Sequence, residues 1–153
     1  MDLSTNSARL ALVTKYATKY GLDPCLVCAV CEQESAWNPF ATRWEPAFFQ
    51  KYIVPQGLAD GTEAYTRAMS FGLMQVMGET ARELGFQNRF LTQLCDPDIA
   101  VDLGCRKLQK CFSIHGDTET ALLCYNGGDD PNYGTAVMAR VPHYLVTDAQ
   151  GAD

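Results

Sequence analysis

The apolar positions of this chain recur mostly at helical spacing. Leu10, Val13, Tyr16 and Ala17 share one face of a segment running from Ser4 to Tyr20, and Gly21 supplies its stop. Asp23-Pro24 predicts the start of a second helix, because Asp caps helix N-termini and Pro suits the first turn. That helix runs to about Ser35 and ends before Asn38-Pro39. Residues 41–70 read as irregular, with Pro46, Pro55, Gly57 and Gly61 among short helical pieces. Further helices are predicted over Glu79–Leu84, from Asp96-Pro97 to about His115, and over Asp117–Tyr125, with Gly85, Gly116 and Gly127-Gly128 as their stops. A last helix is expected from Thr135 to Val146, turning Val137, Met138, Val141 and Leu145 inward. No alternating run marks a strand, and no repeat or linker divides the chain. The pattern predicts an all-α fold with at most a minor β hairpin, organised as a single domain over residues 1–153.

Composition narrows the class. A chain of 153 residues, 47% hydrophobic and 20% charged, is too apolar to stay disordered. The longest apolar stretch, Cys25 to Cys31, falls far short of the roughly 18 residues a membrane span needs. Twelve Lys and Arg against eighteen Asp and Glu leave a net charge of −6 with no basic cluster, which excludes the footprint of a nucleic-acid binder. The start, Met1-Asp2-Leu3-Ser4-Thr5-Asn6, has no positive or apolar region, so no secretory signal is read and synthesis in a cytoplasm is expected.

The cysteines number seven, so at least one is unpaired within the chain. Cys25-x-x-Cys28-x-x-Cys31 has the spacing of a metal or iron–sulfur motif. Its intervening residues are all apolar, however, and the two histidines, His115 and His143, lie far along the chain. The run reads as packing, with no metal and no cofactor, and disulfides are not expected in a cytosolic chain.

Glu34 carries the most chemical information. At 100° per residue, Val27 lies about 20° from it, Val30 about 40° and Cys31 about 60°. Glu34 therefore ends the apolar stripe of its own helix, whereas Glu32, about 160° away, belongs to the opposite and solvated face. Burial of a carboxyl disfavours its charged form and suits it to act as a general acid. The alternative is a structural Glu paired with an Arg or capping a neighbouring helix.

Three sequence blocks sharpen this reading. Glu34-Ser35-Ala36-Trp37-Asn38-Pro39 is followed by Gly72-Leu73-Met74-Gln75-Val76-Met77 and then by Cys124-Tyr125-Asn126-Gly127-Gly128. In this order they resemble the soluble lytic transglycosylase domain of glycoside hydrolase family 23, which also holds goose-type lysozymes, with the motif-bearing core over residues 24–128. The resemblance implies a mainly helical lysozyme-like fold with a substrate groove. It implies Glu34 as the catalytic acid and base, and Gln75, Met77, Tyr125 and Asn126 as residues lining the groove. Core packing is the competing reading for Met74 and for Tyr125. The implied partner is the glycan strand of peptidoglycan, cut between N-acetylmuramic acid and N-acetylglucosamine by a monomer. A phage or prophage endolysin, reaching the periplasm once the inner membrane is breached, fits best.

The chain departs from the simpler family pattern in one place. Thirty-seven residues, Ser35 through Phe71, separate Glu34 from Gly72. Within them Arg43-Trp44-Glu45-Pro46-Ala47-Phe48-Phe49 resembles a version found in phage lysis enzymes. Trp44, Phe48 and Phe49 either wall the groove or form a small satellite core. Glu45, Asp60 and Glu63 offer candidates for a second carboxylate, Glu45 foremost. With one, the enzyme would be an inverting hydrolase; without one, a lyase that closes a 1,6-anhydro ring. A non-catalytic wall-binding protein is the remaining alternative.

Overall fold

The computed structural model describes residues 2–145. Helix α1 (Asn6–Tyr20) starts where Thr5 accepts the Ala8 amide proton and stops at left-handed Gly21. Helix α2 (Pro24–Ser35) is capped by Asp23, whose carboxylate accepts from the Cys25 amide. Six consecutive residues of α2, Leu26 to Cys31, are buried. Such a helix is apolar all round because it is enclosed on every side. Here α1, helix α8 (Tyr133–Met138) and a 3₁₀ turn over Val141–Tyr144 pack on it.

After α2 the chain forms strand β1 (Thr42–Trp44) and then helix α3 (Pro46–Phe48), a π turn (Phe49–Ile53), a 3₁₀ turn (Val54–Gln56) and helix α4 (Gly61–Arg67). Strand β2 (Met69–Phe71) pairs antiparallel with both β1 and β3 (Val76–Met77). The result is a three-stranded sheet rather than the hairpin allowed by the sequence, because β1 adds an edge. Strands of two or three residues are too short to show alternation, which is why none was legible. Half-buried ion pairs fasten α4 to helix α5 (Gly78–Glu83): Glu63 meets Arg82 at 2.7 Å and Arg67 reaches Glu79 at 3.2 Å, while Glu63 and Arg67, 2.9 Å apart, join them within α4.

A 3₁₀ turn (Leu91–Cys95) leads into α6 (Pro97–His115), which Asp96 caps and Gly116 ends, and α7 (Thr118–Asn126) follows. Two expectations fail here. The last helix is broken: α8 stops at Met138 and a separate turn begins at Val141. Pro142 lacks the amide proton that a continuing helix would use. Met138 and Leu145 are consequently exposed rather than inward, and Val146 lies outside the described residues. The second failure concerns the thiols. Cys111 of α6 and Cys124 of α7 form a disulfide, against the expectation of none, because packing of α6 on α7 sets their Cα atoms 5.8 Å apart. Cys28, Cys31 and Cys105 are buried in the core, as packing predicts. Burial pushes the Cys28 thiol up to about 12, far from a reactive thiolate.

Candidate active site

Glu34 stands in the last turn of α2, where the helix dipole places partial negative charge and disfavours a carboxylate. Directly beyond it Ala36 and Trp37 adopt left-handed backbone, with φ of 48° and 65°. Two successive non-glycine residues in that region store strain, which a folded frame must hold in place. Trp37 supplies part of the hold: it is buried and its indole N–H donates to the Tyr144 hydroxyl at 2.6 Å.

The Glu34 side chain is half-buried, and the Tyr133 hydroxyl donates to its Oε1 at 2.6 Å. Burial raises the Glu34 pKa above the ordinary carboxyl value. The Tyr133 bond and the charges of Lys107 and Arg43 oppose that rise without cancelling it. Tyr133 itself is buried, and burial together with the neighbouring Glu34 charge keeps its hydroxyl protonated. It therefore remains a donor throughout. Tyr133 lies beyond the motif-bearing core, 99 residues from Glu34, and no local pattern marked it.

The Gly72–Met77 block forms a loop gripped from several directions. Gly72 turns through φ of 71°, and a Cβ there would collide with the Leu94 carbonyl. The Ser35 hydroxyl lies 2.9 Å from the Leu73 carbonyl, tying the loop to α2 beside Glu34. The Gln75 amide donates to the carbonyls of Ala41 and Gly72, each at 2.9 Å, and accepts from the Ser70 hydroxyl. Both Gln75 protons are thereby spent within the protein. Tyr125 is 2% exposed and its hydroxyl donates to the Met74 carbonyl at 2.7 Å. It is a core tyrosine that fixes the loop, the competing reading of this residue, and it has no free proton for a sugar. Met74 packs so closely on Gly104 of α6 that a side chain at 104 would strike its sulfur.

Met77 is half-buried on β3, and Asn126, also half-buried, shapes the following loop by accepting from the Asp130 amide at 2.9 Å. Of the three inserted carboxylates, Asp60 and Glu63 are engaged at α4, whereas the buried Glu45 Oε1 has an ion-pair neighbour but no hydrogen-bond partner. Glu45 pairs with Arg43 at 2.5 Å, Asp60 caps α4, and Glu63 is held by Arg82 and Arg67. Among the described residues, the charges acting on Glu34 are cations only. Trp44, Phe49 and Tyr65 pack on one another with centroids 4.8–5.6 Å apart, and Phe48 pairs with Tyr52, so the inserted aromatics form a satellite cluster. Trp44 and Tyr65 keep one side open to solvent. Among the described residues no group of three or more His, Cys, Asp or Glu could hold a metal ion.

The frame around Glu34 is one found elsewhere. Residues 11–135 match the family model described as the transglycosylase SLT domain. This chain belongs to the transglycosylase SLT domain family. The transglycosylase of Enterobacteria phage PRD1 is 32% identical over 119 residues, which cover 77% of this chain and 34% of the phage protein. Membrane-bound lytic murein transglycosylase C of Actinobacillus pleuropneumoniae is 40% identical over 47 residues, or 31% of this chain and 13% of that protein. The chain thus spans about a third, or less, of the length of these relatives. An inactive mutant of lytic transglycosylase Slt from Pseudomonas aeruginosa superimposes with a TM-score of 0.64 at 21% identity, over 90% of this chain and 24% of that one. That likeness supports the mainly helical SLT fold with its small sheet. No helix among the described residues is long and apolar enough to cross a membrane.

Proposed function

We propose that this chain is a peptidoglycan lytic transglycosylase in which Glu34 alone serves as acid and then as base. The observation that carries the reading is a half-buried carboxyl with a raised pKa, held by Tyr133, with no second carboxylate acting on it among the described residues. Glu34 gives its proton to the leaving O4 of N-acetylglucosamine as the C1–O4 bond breaks. Positive charge then develops on the muramic acid ring, where the sugar's own 2-acetamido group assists. The O6 hydroxyl closes on C1 and returns its proton to Glu34. No water is consumed, so no water-activating carboxylate is required. Commitment of Asp60 and Glu63 to other partners favours this route over the inverting hydrolase.

Met77 and Asn126 border the groove as substrate contacts, while Gln75 and Tyr125 act by holding the loop between β2 and β3. Residues 1–153 form the catalytic unit, acting as a monomer on glycan strands and not on nucleic acid. The phage relative supports a role as a phage or prophage endolysin that reaches the periplasmic wall after the inner membrane is breached.

The deciding experiment is mass spectrometry of fragments released from purified peptidoglycan. Products one water lighter, ending in 1,6-anhydromuramic acid, are expected. Reducing-end muramic acid would make the enzyme a hydrolase, and binding without release would make it a wall-binding protein.

A further inference from the structure

Strand β1 carries an exposed arginine that the reaction above does not use. β1 is the edge of the three-stranded sheet, and all three of its residues are exposed. Its start is fastened to the loop of the candidate site: the Ala41 carbonyl accepts from the Gly72 amide at 2.8 Å and from the Gln75 side chain at 2.9 Å. Arg43 stands two residues farther on, about 7 Å along the strand. The register sets Arg43 opposite Ser70, and Ser70 opposite Met77. Residues directly opposite one another project to the same face, so these three form one row across the sheet. Met77 borders the groove in the reading above, and Arg43 ends the same row at the open edge. Trp44 turns to the other face, where it packs on Phe49 and Tyr65.

The Arg43 side chain is 76% exposed, and its Nε meets Glu45. Among the described residues it makes no other ion pair. A guanidinium carries five N–H donors, so an ion pair through Nε leaves the parallel N–H bonds of its two Nη groups for a second carboxylate. The chain as a whole, at −6, repels an anionic polymer. Attraction therefore has to come from a local cation. Along a glycan of alternating sugars, N-acetylglucosamine is neutral and the ionised groups belong to muramic acid and the peptide it bears.

We propose that Arg43 is a specificity-determining residue of the groove, whose Nη groups bind a carboxylate carried by the muramic acid units of the glycan. That carboxylate is the lactyl group on bare strands or a carboxylate of the attached stem peptide. Glu45 holds the guanidinium from its Nε side. Arg43 thus distinguishes peptidoglycan from a neutral polymer of N-acetylglucosamine, and it transfers no proton.

This role rests on the lytic transglycosylase reading, and calorimetric binding to Glu34→Gln protein tests it without turnover. The probes are N-acetylchitotetraose, a bare muramic acid tetrasaccharide, and the same tetrasaccharide bearing stem peptides. Adding Arg43→Gln is expected to weaken binding of a muramic acid probe about tenfold and to leave chitotetraose unchanged. The loss falls on the bare probe if the lactyl carboxylate is bound, because the peptide bond removes that charge. It falls on the peptide-bearing probe if the stem supplies the ligand. Arg43→Lys should restore binding only in part, since an ammonium cannot make the paired contact. Equal weakening of all three probes overturns the proposal, as does unchanged binding of both muramic acid probes. A parent protein that binds none of the three overturns it as well. The products released by the chain with Glu34 intact are scored separately: reducing-end muramic acid would refute the transglycosylase and leave the binding result standing.

Discussion

Two carboxylates on α2, two residues apart, sit in environments that resemble each other in one respect and differ in the rest. Each accepts a tyrosine hydroxyl: Tyr144 donates to Glu32 at 2.7 Å and Tyr133 to Glu34 at 2.6 Å. Their titrations nevertheless move in opposite directions. Burial pushes Glu32 up, but Tyr144, His143 and Arg140 together more than offset it, and its pKa falls. Glu34 is more enclosed, its one hydrogen bond and two more distant cations do not compensate, and its pKa rises. A tyrosine partner therefore does not decide whether a carboxyl is an acid or an anchor. The number of polar groups that replace lost water does. Glu32 is an anchor, clamping the Val141–Tyr144 turn onto α2, and Glu34 has the environment of the proposed acid.

The widest separation between the two appears on removing each charge. Glu34→Gln is expected to lower release of anhydromuropeptides by about 10³-fold, within the range for loss of a general acid. Glu32→Gln should keep most of the activity and lose about 1 kcal/mol of stability, since its partners are partly exposed. Turnover assays and thermal unfolding on both variants check this. Comparable loss of activity in both would collapse the distinction.

The tyrosines give a smaller contrast. Tyr133→Phe removes a hydrogen bond to a carboxylate, worth about 1.5–3 kcal/mol, and should slow turnover at least tenfold while raising the alkaline limb of the pH profile. Tyr144→Phe should leave the profile unmoved. It strands the buried Trp37 indole N–H and so should cost about 1–3 kcal/mol of stability. Equal pH profiles for the two variants would mean that Tyr133 is only a structural partner.

What the sequence could reveal follows from how local each signal is. Asp23-Pro24 and Asp96-Pro97 mark helix starts because cap and first turn are neighbours, and both helices begin there. Helical spacing likewise put Glu34 at the edge of an apolar face. The same wheel assigned Glu32 to solvent, which failed because the distant Val141–Tyr144 turn covers it. Tyr133 escaped for the same reason, being joined to Glu34 across 99 residues. Motif membership pointed to Gln75 and Tyr125 without telling where their protons go, and both donate inward. The Cys111–Cys124 bond depends on how α6 meets α7, and arguments from compartment cannot see that. Pro142, by contrast, is a local signal within the expected last helix, and the helix breaks just before it.

The finest test of the comparison is stability against pH. Glu32 titrates below its ordinary value in the folded chain, so its contribution is present above that ordinary value and fades as pH falls through the folded one. Glu34 behaves oppositely. Its folded pKa lies above the ordinary value, so the folded chain keeps a proton that the unfolded chain has released. The stability this provides is full below the ordinary carboxyl value and is lost as pH rises through the folded one. Once ionised, Glu34 is thus a liability to the fold, and the proton it tends to keep is the one the proposed acid step donates. Glu34→Gln should raise Tm relative to the parent at pH 7 and lose that advantage toward pH 4, whereas Glu32→Gln should lower Tm at pH 7 and converge on the parent in acid. If Glu34→Gln gains nothing at pH 7, the carboxyl is not held in the costly environment that makes it an acid, and the contrast within α2 fails at its source.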